Sequence, residues 1–137
     1  MGETKRVVLS WRHKLEFVGT GAGGVPVTID GDNAAGAGPM ESLLLALAAC
    51  TGGDIVSILE KKRVELVSFG VDVEGDRREE YPRRYVAIRL RFRFKASGLS
   101  EDAARQAVDL SLEKYCSVRH SLDPAIPVGY ELVIEAA

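Results

Sequence analysis

From Ser42 to Cys50 the chain carries no charged side chain, and this stretch limits the possible folds more than any other. It is preceded by Pro39, which suits a first helical turn because the N–H it lacks would have no partner there. It continues through Leu43, Leu44, Leu45, Ala46, Leu47, Ala48 and Ala49, all good helix formers or nearly so. A helix is therefore predicted from Pro39 to about Lys62. Ile55, Ile58 and Leu59 prolong its apolar stripe, and Lys61, Lys62 and Arg63 place cations at the negative end of its dipole. A helix with no wet face over its first half is expected to be covered by protein nearly all round, and hence to be central. Cys50 lies in its middle. Gly52 and Gly53 follow, allowing close approach of another backbone or a small substrate and marking a candidate bend.

The remaining segments read mostly as strands. Arg6–Ser10 and Lys14–Val18 predict two strands, or one bent strand through Trp11, Arg12 and His13. Seven of the fourteen glycines fall between Gly19 and Gly38, a loop region interrupted by Val25–Ile29, a candidate third strand. Val64–Asp76 shows partial alternation. Tyr85–Lys95 gives the clearest period of two, with Val86, Ile88, Leu90, Phe92 and Phe94 set against Arg89, Arg91 and Arg93. Ser100 is a candidate cap for a second helix, with Glu101 and Asp102 in its first turn and an expected end near His120. Ile126–Glu135 is a closing strand. Strands, helix, strands, helix, strand is an α+β order, with antiparallel sheets, in one domain over residues 1–137.

Composition excludes several classes of partner. Eighteen basic and twenty acidic residues leave a formal charge of −2, so no strong overall field draws the chain to nucleic acid or to an anionic membrane surface. Its longest apolar run, Leu43–Cys50, is shorter than the roughly 20 residues that span a bilayer. A soluble, cytoplasmic chain is the expectation. Two cysteines make no disulfide framework and in a reducing compartment are thiols at rest.

The thiols are the candidate chemistry. On a continuous second helix Asp109, Glu113, Cys116 and His120 would share one face, where His120 or Arg119 would favour a Cys116 thiolate and Glu113 would oppose it. Against this stands the ordinary burial of free cysteine as a small apolar residue, which applies to Cys50 as well. No Cys-x-x-Cys pair occurs, so no metal or other cofactor is expected. Gly19–Gly24 lacks the lysine and hydroxyl of a phosphate loop, and no Gly-x-Ser-x-Gly elbow is present.

Two separated cysteine motifs, Gly38-Pro39-Met40-Glu41-Ser42-Leu43-Leu44-Leu45 leading to Ala48-Ala49-Cys50, and Asp109–Val118 around Cys116, resemble those of the OsmC/Ohr family. Arg77-Arg78-Glu79-Glu80 with Pro82 is most similar to its YhfA-type branch. The resemblance implies an intertwined homodimer with two long helices per subunit packed on antiparallel sheet, and a site at the dimer interface containing both thiols. It implies an enzyme that reduces organic hydroperoxides and is reopened by an external dithiol, with Cys50 peroxidatic and Cys116 resolving. The chemistry has its own logic, since a thiolate attacks the O–O bond and a second sulfur stops further oxidation of the sulfenic acid. The family's activating pair maps to Glu41 and Arg12. The acid is displaced to Glu41 because Met40 follows Pro39, and Arg119 and the Arg77–Arg84 connector are substitute cations. A non-catalytic dimeric stress or small-ligand-binding protein is the rival expectation.

Overall fold

Period-two alternation generates the strands and the long uncharged run the first helix. In chain order the elements are β1 (Val8–His13), β2 (Glu16–Thr20), β3 (Val27–Asp30), α1 (Pro39–Lys61), β4 (Glu65–Arg77), β5 (Tyr85–Ser97), α2 (Glu101–Leu110), a π-helical turn (Ser111–Tyr115), α3 (Ser117–Ser121) and β6 (Val128–Ala136). The computed structural model describes residues 2–137. It divides into two compact units, one up to Leu43 and one from Leu44 to Ala137.

In the first unit β1, β2 and β3 form an antiparallel meander. Trp11–His13 completes β1, and the bend comes at Lys14, whose positive φ of 48° fits a tight turn. Buried Asp30 organises the loop after β3. Its carboxylate accepts the backbone N–H groups of Ala35 and Asp32, which hold its pKa below the usual range.

In the second unit β5 is the middle strand, antiparallel to β4 and parallel to β6. The antiparallel expectation thus fails for the last strand. A helical connection returns the chain to the opposite end of the sheet, so the strand after it runs parallel. Ile88, Leu90, Phe92, Phe94 and Ala96 are buried, while Arg89 and Arg93 project outward to pair with Asp76 and Asp72. Val86 was expected to join the buried set, but Tyr85 takes the inward place. A β-bulge opposite Arg77 reverses the phase, and the Tyr85 ring stands over Gly75, where a Cβ would lie 2.6 Å from it. A second bulge after Leu66 accounts for the imperfect alternation of β4.

α1 runs through both glycines. Its buried face, Leu47, Thr51, Gly52, Ile55 and Leu59, has the spacing of a single helical stripe. Gly52 faces Phe69 of β4, where an added Cβ would come within 3.3 Å of the ring. The expectation of cover all round is not met within one chain: Leu45 is 61% exposed, and Ala46, Ala49, Gly53 and Val56 also face outward. The formed helix, 23 residues long, is also long and apolar enough by composition to cross a membrane. The shorter Leu43–Cys50 run understated this, because uncharged Thr51, Gly52 and Gly53 extend the stretch.

Candidate functional site

The second helical segment does not run unbroken to His120. α2 starts at Ser100, whose hydroxyl accepts the Ala103 N–H, and gives way after Leu110 to the π turn. There Cys116 N–H donates to Ser111 O at 2.7 Å, five residues back. Cys116 itself is extended (φ −72°, ψ 99°), and α3 starts behind it. The wider turn and the break rotate the positions out of the alignment that a continuous helix would give. Asp109 accepts a 2.6 Å hydrogen bond from Tyr130 Oη, while Glu113 and His120 are exposed. The expected single face of carboxylate, thiol and imidazole is therefore not formed.

The break brings Cys116 to α1. Its sulfur is wholly buried and accepts two hydrogen bonds of 3.3 Å, from Thr51 Oγ1 and from the Arg119 backbone N–H. The Cys50 thiol also lies within hydrogen-bonding reach of it, half-buried and free like Cys116 itself. Burial pushes the Cys116 pKa up, the two donors work against that, and the Cys50 sulfur raises it again. One sulfur is thus held neutral beside a less buried one. The wholly buried Ser111 donates to Asp54 Oδ2 at 2.8 Å, one helical turn beyond Cys50. That bond ties the π turn to α1.

Nothing local in the sequence singles out Thr51 and Ser111. Their one signal is polarity inside an apolar helical stripe, which does not reveal a partner on another helix. The Arg119 side chain is engaged elsewhere: its guanidinium donates to the Asp123 and Ile126 carbonyls, so only its backbone reaches Cys116. The connector arginines bind within their own hairpin, Arg77 to Arg83 O, Arg78 to Glu80 and Arg84 to Tyr85 O.

Arg12 and Glu41 belong to the first unit. Arg12 lies 3.5 Å from Glu16, which also approaches His13. Glu41 sits in the first turn of α1 and accepts the Gly38 N–H at 3.0 Å and the Asn33 side-chain amide. These donors, Gly38 first, hold its pKa down against burial. Together with Ser42 Oγ donating to Gly38 O, they close the start of the helix much as a capping box does. Among the described residues no three His, Cys, Asp or Glu side chains converge as a metal site would require.

Comparison with known proteins gives one consistent answer. The family description "OsmC-like protein" matches residues 30–131. Protein YhfA of Escherichia coli K12 is 38% identical over 130 residues, spanning 94% of this chain and 97% of its own. The crystal structure of a hypothetical protein from Aquifex aeolicus VF5 superposes with a TM-score of 0.85 at 33% identity, over 98% of this chain and 99% of that one. The organic hydroperoxide resistance protein OhrB of Bacillus subtilis shares the fold at a TM-score of 0.63 and 17% identity, over 95% and 98% of the two chains.

Proposed function

The chain belongs to the OsmC-like family, and from that premise we propose that it is a cytoplasmic thiol-dependent peroxidase that reduces organic hydroperoxides in oxidative-stress defence. The observation that carries this reading is the approach of two free thiols, one on α1 and one at the break before α3, the buried one neutral and the other more accessible. The Cys50 thiolate attacks the distal oxygen of the hydroperoxide. An S–O bond forms, the O–O bond breaks, and the alkoxide leaves as alcohol after taking up a proton. The sulfur loses two electrons and becomes a sulfenic acid. Cys116 then displaces its oxygen as water, giving a Cys50–Cys116 disulfide that an external dithiol reduces. The resistance named in the Bacillus protein is consistent with this chemistry on the same fold.

The working form in this reading is a homodimer. Its support is the outward apolar stripe of α1, with Leu45, Ala49 and Val56, and on β1 the exposed Val8, Leu9 and Trp11. Apolar faces of this kind are what a second copy would cover. Arg12 is the proposed cation for the Cys50 thiolate and Glu41 the acid that positions it. Both Gly38 and Asn33 donate to Glu41 Oε1, which leaves its Oε2 for that contact.

The test is turnover. Purified protein with cumene hydroperoxide and dithiothreitol should consume the hydroperoxide, and Cys50→Ser should abolish that consumption. Equal activity in Cys50→Ser would overturn the role of Cys50, and no consumption by wild type would overturn the reading in favour of a non-catalytic ligand-binding protein.

A further inference from the structure

Thr51 follows Cys50 on α1 and is fully buried within the apolar stripe of that helix. A buried helical threonine commonly returns its proton to a carbonyl three or four residues back. Here the hydroxyl leaves its own helix and donates to Cys116 Sγ, at the break before α3, at 3.3 Å. The Arg119 N–H donates to the same sulfur. A neutral thiol is a weak acceptor, so two donors gain little from it. A thiolate makes both bonds charge-assisted. Burial opposes that charge at rest, so the pair of donors matters chiefly while the sulfur is reacting.

Resting on the peroxidase reading above, we propose that Thr51 is a catalytic residue of disulfide closure and reopening, its hydroxyl stabilising charge on Cys116 Sγ when that sulfur attacks and when it leaves. In closure the S–S bond forms while the S–O bond of the Cys50 sulfenic acid breaks. The proton lost by Cys116 goes to the departing hydroxide, which leaves as water. Cys116 is oxidised and the sulfenic sulfur reduced. In reopening an external dithiol attacks Cys50, the less buried sulfur. The S–S bond breaks, Cys116 departs as a thiolate and then takes up a proton. The second thiol of the reductant displaces Cys50 and the dithiol leaves as its own disulfide. Mixed disulfides should therefore form on Cys50.

The experiment compares wild type, Thr51→Val and Thr51→Ser by stopped-flow, following sulfenic acid formation with cumene hydroperoxide and then disulfide closure. Thr51→Val should slow closure about tenfold relative to sulfenic acid formation, as expected for losing a hydrogen bond to a charged group. It should also raise the pH at which closure becomes fast and let sulfinic acid accumulate at Cys50. Thr51→Ser should restore both, which a merely structural role would not require. Ultraviolet thiolate titration of Cys116 in a Cys50→Ala background gives a second readout, free of peroxide chemistry, and should move upward in Thr51→Val alone. Unchanged closure and titration in a folded Thr51→Val overturn the role of Thr51 while leaving the peroxidase reading intact. Absence of sulfenic acid in wild type overturns that reading and the catalytic role with it.

Discussion

Replacing Ser111 with alanine tests whether the bond between α1 and the π turn holds the second thiol in place. Ser111 is wholly buried and donates to Asp54 at 2.8 Å, while its carbonyl receives the Cys116 N–H at 2.7 Å. Truncation leaves the Asp54 carboxylate without this donor and opens a gap too small for water. A hydrogen bond to a charged group contributes about 1.5–3 kcal/mol, and the partial exposure of Asp54 places this one near the middle, at about 2 kcal/mol. For a chain of 137 residues each kcal/mol moves the Tm by about 3–4 °C, so Ser111→Ala should melt about 7 °C lower by calorimetry at neutral pH. A double-mutant cycle with Asp54→Ala should return about 1.5 kcal/mol of coupling. Ser57→Ala, exposed on the same helix, should stay within about 0.5 kcal/mol of wild type. A fall below about 2 °C, or a cycle that closes to zero, would refute the idea that this bond anchors the turn.

Further outcomes follow from burial and charge. Because the folded Cys116 pKa is raised, its contribution is complete below the unfolded thiol value near 9.0 and is lost as pH climbs from there through the folded value. Unfolding midpoints of wild type should therefore fall above that pH, by up to about 1.4 kcal/mol per pH unit from this group, and Cys116→Ala should lack that part of the slope. Parallel curves would contradict it. Phe92, fully buried against Phe69 and Tyr130, should cost about 4 kcal/mol on truncation to alanine in urea titrations. Ala49→Arg puts a charge in the exposed apolar stripe of α1 and should shift light scattering from dimer toward monomer without lowering helicity. An unaltered dimer would move the interface elsewhere.

The strands and α1 were legible because their signals are local. The uncharged stretch after Pro39 forms a helix to Lys61, and the β5 alternation places four arginine-flanked apolar residues inward. The local pattern misleads where one extra residue changes the phase. The bulge opposite Arg77 exchanged Tyr85 for Val86, and the π turn removed Asp109, Glu113 and His120 from the face of Cys116. Neither irregularity leaves a mark in the hydropathy pattern, because both answer to packing from distant chain. The motifs around Cys50 and Cys116 marked both thiols, and Cys116 Sγ accepts from Thr51, the residue after Cys50, while the Cys50 sulfur raises its pKa. Thr51 and Ser111 could not be paired with Cys116 and Asp54 in advance, since each bond joins helices far apart in the chain.

The account turns on whether Cys50 and Cys116 act as one redox unit, and peptide mass spectrometry after a single equivalent of cumene hydroperoxide measures that directly. A Cys50–Cys116 cross-link within each chain, reversed by dithiothreitol and replaced in Cys116→Ala by sulfenic acid confined to Cys50, is the predicted result. Both cysteines recovered as unmodified thiols, or oxidised independently of one another, would contradict it.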